Sequence, residues 1–305
     1  MSKQRYILVD VFTNRPFGGN PQAVFPDGRG IDPETMQAIA KEFNLSETTI
    51  VVPPEDQRAA YRLRIFTPAA ELPMAGAPTV GTTFVLAREG MVVQPEQKQT
   101  TLYLEEGVGL VPVTLDWNGP QVPKITMQQP LPTFGPRFSE PDTIASILAL
   151  DPADLQSDLP IEVVSCGVPF LLVPLRDLQA MQRISLQQGL WQQVLAHFAS
   201  PQILTFTQQT QTPEASVHCR MFAPAMGIAE DPASGAANGP LGCYLVHYGL
   251  VSSQADAVSL ISEQGFEMGR PSLIYITVEQ AGGDISKVSV GGHCVFMGEG
   301  MLEVG

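Results

Sequence analysis

The sequence predicts an α+β protein of two similar lobes, each a barrel-like set of short strands around one central buried helix. Three observations lead to this fold class. Short β-branched runs recur along the chain, several sequence landmarks occur twice in the same order, and two helical segments are apolar nearly all round. We expect a first lobe over residues 1–118, completed by a C-terminal strand over 290–305, and a second lobe over 119–289.

Composition and charge narrow the classes of function. Hydrophobic residues make up 44% of the 305 residues, which is enough for a sizeable core. The formal net charge of −14 and the lack of a Lys/Arg run argue against a nucleic-acid partner. The N-terminus shows no signal region and the apolar runs are too short to span a bilayer, so we expect a cytoplasmic protein with no membrane partner.

Cofactor and metal motifs are missing from the sequence. There is no P-loop, and no dinucleotide fingerprint follows a strand. The four cysteines are scattered, without a CxxC spacing or clustered histidines, which indicates reduced thiols and not a zinc site or a disulfide framework. We therefore expect no metal and no organic cofactor.

The duplication rests on four landmarks that occur in the same order in both halves. Each match is short, but their common order indicates an internal repeat. They are "GNPQAVFP" at 19–26 with "GVPFLLVP" at 167–174, "FTP" at 66–68 with "FAP" at 222–224, "PMAGA" at 73–77 with "PASGA" at 232–236, and "TLYLEEG" at 101–107 with "SLISEQG" at 259–265.

Helical signals are few and stand between strand signals. An amphipathic helix is predicted over 32–43, with Asp32 as its N-cap, and others over 140–150 and 186–199. The two helices that are apolar nearly all round cover about 78–89 and about 234–248. Both are rich in small residues and end before a glycine, and we expect both to be buried.

The glycines at the two buried helix starts suggest a binding site. A helix N-terminus offers unpaired N–H groups and a positive dipole end, and glycine lets an anion approach closely. Gly76 precedes one helix and Gly235 begins the other. If the lobes face each other, both starts point into one cleft that would stabilise an enolate or carbanion. The alternative is that the glycines only permit tight turns, but the matched pair favours a site.

Two carboxylates are candidates for the chemistry. Glu47, in "NLSETTIV", follows a serine and opens a β-branched strand, where a partly buried carboxyl could exchange protons. On the sequence pattern alone, an ordinary surface glutamate is the more common explanation. Asp231 either caps the second buried helix through its side chain or points at a ligand amine or hydroxyl.

Five motifs, taken together and in their order along the chain, resemble those of the PhzF-like isomerase family of phenazine biosynthesis. They are "DVFTNRPFGGNPQAVF", "NLSETTIV", "RIFTPAAELPMAGAPTVGTTFVL", "RMFAPAMGIAEDPASGAANGPLGCYL" and "EQGFEMGRPS". The resemblance implies the diaminopimelate-epimerase-like fold, a homodimer, and a proton and double-bond shift without cofactor or metal.

The resemblance also assigns roles to individual residues. It implies that Glu47 is the general acid/base and that Asp231 contacts the substrate. It implies that the backbone at Gly76, Ala77, Gly235 and Ala236 holds the substrate, a small carboxylate-bearing metabolite. Arg270, in "EMGRP", could pair with the substrate carboxylate, although a structural salt bridge is an equal alternative.

The sequence departs from the family pattern at both helix starts. Ala77 stands where the family often has histidine, and Ala236 stands where a serine is common. A pocket with fewer polar groups should prefer a different, less polar substrate. The alternative function is a non-catalytic binding protein of the same fold, which Ala77 favours and Glu47 opposes. A two-thiol racemase is disfavoured because no cysteine lies at either helix start.

Overall fold

The computed structural model describes residues 2–96, 98–117, 123–251 and 256–304, and shows a mixed α/β protein dominated by strands. The helices are α1 Pro33–Phe43, α2 Gly76–Arg88, α3 Pro141–Leu148, α4 Leu178–Arg183, α5 Gln188–Val194 and α6 Gly235–His247. The strands are β1 Ser2–Val11, β2 Asn20–Phe25, β3 Glu47–Val52, β4 Tyr61–Phe66, β5 Glu71–Leu72, β6 Gln99–Glu106, β7 Gly109–Asp116, β8 Lys124–Gln129, β9 Thr133–Arg137, β10 Glu162–Ser165, β11 Pro169–Pro174, β12 Ile203–Thr207, β13 Val217–Ala223, β14 Ile228–Asp231, β15 Ala257–Gln264, β16 Ser272–Ala281, β17 Asp284–Gly292 and β18 Cys294–Val304. No helix among these described residues is both long and apolar enough to cross a membrane.

The chain forms two compact units. The first unit comprises residues 1–128 and 290–305, and the second comprises residues 129–289. In the first unit, β1 pairs antiparallel with both β18 and β2. The chain then adds β3 parallel to β2, β4 antiparallel to β3, and both β5 and β6 beside β4, of which β6 runs parallel to it. Antiparallel β7 and β8 follow.

The second unit repeats this order of pairings. Antiparallel β10 and β11 are followed by β12 parallel to β11 and by β13 antiparallel to β12. β13 then pairs with the short antiparallel β14 and with parallel β15, which pairs in turn with β16. In each unit, the strand that pairs parallel with the fourth strand, β6 with β4 and β15 with β13, follows the buried helix. The same connection therefore occurs at the positions of the repeated motifs.

The two buried helices are confirmed, with small shifts in their ends. Residues 76–86 of α2 and 235–245 of α6 are all buried. α2 begins two residues before the predicted start because Pro78 fits in the first turn, where its missing N–H needs no helical partner. The amphipathic α1 is also confirmed, and Asp32 caps it by accepting a hydrogen bond from the N–H of Thr35 at 3.0 Å.

One glycine links the end of a parallel strand to the loop that enters a buried helix. Gly265 follows β15 at φ +77°, and a Cβ there would lie 2.5 Å from the carbonyl oxygens of both Pro232 and Arg270. Gly90, after α2, has a similar φ of +72°, but no described atom lies within 4 Å of its Cβ position. A side chain at Gly90 would therefore meet only backbone strain, whereas a side chain at Gly265 would meet both backbone strain and a steric clash.

We expect Gly265→Ala to destabilise the protein more than Gly90→Ala. The Gly90 variant should lose only the cost of a left-handed non-glycine residue, roughly 1–2 kcal/mol of unfolding free energy. The Gly265 variant should lose at least twice as much because the backbone must also move away from two carbonyl groups. Urea unfolding measures both values, and equal losses would contradict this explanation.

Candidate active site

Glu47 is a buried carboxylate at the first position of β3. Its side chain is 7% exposed, so the surface-glutamate alternative is wrong. The side-chain amide of Asn20, at the first position of β2, donates a hydrogen bond to Glu47 Oε2 at 3.4 Å. Parallel pairing of β2 with β3 places Gln22 opposite Glu47 and fixes this register. A buried carboxyl in contact with an amide has a defined orientation, which acid/base chemistry needs.

The loop before Asn20 holds an unusual backbone. Phe12 and Phe17 both have positive φ, at 65° and 66°, which is rare for residues with a side chain. Gly19 also has positive φ, and a Cβ there would lie 2.2 Å from the carbonyl oxygen of Val11. The carboxylate of Asp10 accepts a hydrogen bond from the N–H of Phe17 at 2.8 Å and helps to hold the turn. Strain of this kind is typical of segments that position functional groups.

The start of α2 carries no side-chain cap. Ala75 is the N-cap residue, in an extended conformation, and Gly76 and Ala77 are buried in the first turn. The hydroxyl of Thr79 lies 2.6 Å from the carbonyl oxygen of Ala75. The N–H groups of the first turn, which a capping side chain would otherwise satisfy, are suited to hydrogen-bond an anionic ligand.

The start of α6 is built in the same way. Ser234 is the N-cap residue, three positions after Asp231, and its own side chain makes no cap hydrogen bond. Asp231 ends β14 and is 1% exposed. Gly235 and Ala236 form the buried first turn, and Gln129 donates a hydrogen bond to the carbonyl oxygen of Gly235 at 2.9 Å.

Gln264, the last residue of β15, holds the approach to α6. Its side-chain oxygen accepts hydrogen bonds from the N–H of Ser234 at 3.2 Å and from the amide of Asn238 at 3.1 Å. Its side-chain nitrogen donates to the carbonyl oxygen of Asp231 at 2.7 Å. One fully buried amide therefore joins Asp231 to the first turn of the helix.

The acids that precede both helix starts bind arginines. In the second unit, Arg220 on β13 donates two parallel hydrogen bonds to Glu230, at 2.7 and 2.9 Å. In the first unit, Arg64 on β4 makes the same paired contact with Glu71. Such two-point contacts fix both distance and orientation. These acids therefore anchor the loops, and in the second unit the contact fixes the residue immediately before Asp231.

A buried histidine joins two carboxylates behind the second helix start. The Nδ1 of His218 lies 2.7 Å from Glu263 Oε1, and its Nε2 lies 3.0 Å from Glu267 Oε1. Glu263 also accepts hydrogen bonds from the N–H groups of Gln211 and Thr212. Burial alone lowers the pKa of His218, but the hydrogen bonds to the two carboxylates raise it to about 9. The imidazolium holds Glu267 in the turn that leads to Arg270.

The predicted site residues fall into two groups within the chain. The first unit contains Glu47, Gly76 and Ala77, and the second contains Asp231, Gly235 and Ala236, all of which are buried. Arg270 follows β15, where its N–H donates to the carbonyl oxygen of Gly265 at 2.9 Å. The role of its guanidinium stays a prediction.

The cysteines do not occupy the helix starts. All four are free and buried. The Sγ of Cys219 lies 3.5 Å from Gln264 Oε1, and burial raises the pKa of its thiol to about 12. Thiols of this kind are poor proton carriers near neutrality. Within the described ranges, no group of three or more His, Cys, Asp or Glu side chains could hold a metal ion.

Sequence reasoning missed several supporting residues. Asn20, Gln264 and the two arginine–glutamate contacts were not predicted as parts of the site. The repeat contains a signal for the arginines, because "RIF" at 64–66 and "RMF" at 220–222 place Arg64 and Arg220 at equivalent positions. Gln264 likewise stands immediately before the glycine that ends the repeated motif at 259–265.

Known proteins and a family model match this chain over nearly its whole length. A family model described as phenazine biosynthesis-like protein matches residues 9–300. The trans-2,3-dihydro-3-hydroxyanthranilate isomerase of Pseudomonas aeruginosa is 35% identical over 306 residues, covering 97% of this chain and 98% of that protein. A crystal structure of a PhzF-family phenazine biosynthesis protein from Bacillus anthracis covers 100% of both chains at 27% identity, with a TM-score of 0.90.

The fold also resembles a more distant group of enzymes. A hydroxyproline epimerase from Agrobacterium vitis matches with a TM-score of 0.67 and 14% identity, covering 99% of this chain and 91% of that one. At this level of identity, the likeness concerns the fold alone.

The histidine bridge predicts a specific dependence of stability on pH. A folded-state pKa of about 9, raised from the ordinary histidine value of 6.5, means that the stabilisation is complete below pH 6.5 and is lost as the pH rises through 9. The maximum loss is about 3 kcal/mol of unfolding free energy. His218→Gln should be less stable than the wild type at about pH 6, and the difference should narrow by about pH 10.

The matched control is Arg62→Gln. Arg62 forms the corresponding contact with Glu105 in the first unit, but an arginine keeps its charge over this range. Its variant should therefore differ from the wild type by a constant amount in urea unfolding at each pH. A His218 variant with a similarly constant difference would show that the bridge does not titrate.

Proposed function

This chain belongs to the phenazine biosynthesis-like family and is an isomerase, and from that premise we propose that it moves a proton on a carbon atom of a small carboxylate-bearing metabolite, without a cofactor. Glu47 acts as the general acid/base. Its carboxylate takes a proton from one carbon, the electron pair of the broken C–H bond shifts into the substrate, and the proton returns at the same or another carbon. No electrons leave the substrate, so the reaction needs no oxidant or reductant.

The burial of Glu47 at the first position of β3 is the observation that carries this proposal. Its side chain is 7% exposed and contacts the amide of Asn20. A carboxylate held in one orientation and largely removed from water can reach a substrate carbon without first losing a hydration shell. The strained loop that leads into Asn20 supports the proposal because it defines the position of that amide.

The two helix starts have a complementary role in this mechanism. Removing a proton from carbon leaves negative charge on the substrate, and backbone N–H groups at a helix N-terminus stabilise such charge. Gly76 and Gly235 each lie in the first turn of a helix without a side-chain cap. We propose that these turns bind the substrate and that Asp231 orients it through an amine or hydroxyl.

The substrate class follows from what the helix starts contain. The related enzyme of Pseudomonas aeruginosa is named for trans-2,3-dihydro-3-hydroxyanthranilate, which makes that compound the first substrate to assay. Ala77 and Ala236 contribute only methyl groups to the first turns. We propose a substrate with fewer polar groups near these positions, since a site lacking hydrogen-bond partners leaves buried polar atoms of a ligand unsatisfied.

The architecture proposed with this function is two pseudo-symmetric lobes of the diaminopimelate-epimerase-like type. The recurring order of strand pairings and the equivalent arginine–glutamate contacts support that proposal. Each lobe then contributes one helix start of the same construction.

Replacing Glu47 tests the acid/base assignment. Glu47→Gln keeps the shape of the side chain but removes the exchangeable proton, so turnover should fall by about 10²–10⁴-fold while substrate binding is retained. In heavy water, the wild-type enzyme should place deuterium on the product carbon and the variant should not. Glu42→Gln, at an exposed site on α1, is the matched control and should behave as the wild type. A Glu47 variant that exchanges at the wild-type rate would show that another group moves the proton.

Replacing Asp231 separates orientation from proton transfer. Asp231→Asn keeps the backbone carbonyl that accepts the hydrogen bond from Gln264, but it removes the carboxylate charge. We expect a higher KM together with a lower kcat, since a misoriented substrate is both bound and converted less well. A variant with a lower kcat and an unchanged KM would instead indicate that Asp231 acts in the chemical step alone.

A further inference from the structure

Glu106 is a buried acid that has no assigned role in the proposed proton transfer. It is the last residue of β6 and is 4% exposed. In the second unit, the last residue of the corresponding strand is Gln264, which holds the first turn of α6. A glycine follows each of them, and a Cβ on Gly107 or on Gly265 would lie within 3 Å of the proline before the corresponding helix. Glu106 and Gln264 are therefore equivalent positions.

The contacts of Glu106 reach the start of α2 through a single hydroxyl. Its Oε1 lies 2.5 Å from the Oγ1 of Thr79, and the same Oγ1 lies 2.6 Å from the carbonyl oxygen of Ala75, the N-cap residue. A threonine hydroxyl has one proton to donate, and a carbonyl oxygen can only accept. If Thr79 donates to Ala75, the proton between Thr79 and Glu106 must come from Glu106.

We propose that Glu106 is a positioning residue of the active site, which as a neutral carboxylic acid donates to Thr79 and thereby fixes the first turn of α2. Gln264 holds the Gly235 turn through the equivalent residue Asn238, although there Gln264 is the acceptor of the hydrogen bond. This inference rests on the proposed role of the Gly76 turn in binding the substrate.

The surroundings of Glu106 favour the neutral form. Burial raises its pKa to about 8, against the opposing effect of the hydrogen bond with Thr79. Its second oxygen, Oε2, is buried and has no hydrogen-bond partner among the described residues, which is a costly place for a negative charge.

The charged groups on neighbouring elements are engaged elsewhere. Adjacent residues of a strand point to opposite faces, so Glu105 faces away from Glu106 and accepts hydrogen bonds from the 53–60 loop. On β4, Arg62 pairs with Glu55 and Glu105, and Arg64 pairs with Glu71. Arg88, at the far end of α2, lies over the ring of Phe296, and Asp116 is at the far end of β7 from Gly109, which pairs with Glu106.

Neutrality matters because of what the helix start is proposed to bind. The positive end of the α2 dipole is then available to an anionic substrate at Gly76 and Ala77. An ionised Glu106 would place a negative charge beside the same turn and would compete with the ligand for that potential. An ionised Glu106 would also accept the single hydroxyl proton of Thr79, so that Thr79 could no longer donate a hydrogen bond to the carbonyl oxygen of Ala75.

The protonation state can be tested without any substrate. Glu106→Gln copies Gln264 and cannot ionise. The folded-state pKa of Glu106 is about 8 and the ordinary value for a glutamate is 4.5, so the unfolded chain releases the proton first as the pH rises. Wild-type stability should therefore fall between those two pH values. The thermal midpoint of the wild type should therefore decline relative to that of Glu106→Gln from about pH 5 to about pH 8.

The matched control for this measurement is Thr83→Val. Thr83 lies one turn further along α2 and its hydroxyl donates to the carbonyl oxygen of Thr79, without a contact to Glu106. Its midpoint should stay at a constant offset from the wild type at every pH. If the thermal midpoints of the wild type and Glu106→Gln change with pH in parallel, Glu106 is not a neutral acid in the folded protein. This conclusion does not depend on the role of Glu47.

The positioning role is tested by turnover in the heavy-water exchange assay. Glu106→Gln should retain wild-type kcat/KM near neutral pH, whereas Glu106→Ala should lower it at least about tenfold, mainly through KM. Above about pH 8, wild-type kcat/KM should decline about tenfold per pH unit, and this decline should be weaker in Glu106→Gln. A glutamine variant as impaired as the alanine variant would overturn the proposal, since it would show that the carboxyl itself takes part in the chemistry.

Discussion

The structure depends on how two helix N-termini are satisfied inside the protein. α2 and α6 begin at buried residues, and neither N-cap residue supplies a side-chain hydrogen bond. A buried helix start without a cap is costly unless other groups position it. Here those groups come from strands distant in sequence: Glu106 and Gln264 hold the first turns, and arginines on β4 and β13 anchor the preceding acids. Because no cap occupies the first turns, their backbone N–H groups can serve a ligand.

The two units solve this problem with different side chains. An acid contacts a threonine at one helix start, while an amide contacts an asparagine at the other. Behind these contacts, a partly exposed Arg62 pairs with Glu105, whereas the fully buried His218 bridges two carboxylates. The arrangement of these contacts is the same in the two units, but the contacts do not respond to pH in the same way. Arg62 stays charged over the usual pH range, whereas His218 and the buried Glu106 titrate. The two helix starts can therefore keep the same backbone arrangement while the side chains around them differ in charge.

The sequence predicts the elements better than their contacts. The buried helices follow from runs of small apolar residues, and the cap of α1 follows from Asp32, because both signals are local. The helix expected over 186–199 is shorter, since α5 covers only Gln188–Val194. Gln264 and His218 could not be assigned from spacing, since these partners lie 26 to 49 residues away and meet them only through the tertiary fold. Glu47 was identified only by family resemblance, since nothing local distinguishes a buried glutamate.

We propose that these helix starts bind a substrate whose carbon atom Glu47 can reach. The most direct measurement is a crystal structure with a carboxylate-bearing substrate analogue bound to the full-length protein. An anionic oxygen of the analogue should lie within about 3 Å of backbone N–H groups in a first turn, at Gly76–Ala77 or Gly235–Ala236. A carbon of the analogue should also lie within about 3.5 Å of a Glu47 oxygen. An analogue bound elsewhere, with both first turns in contact only with water, would show that the helix starts are not the substrate site.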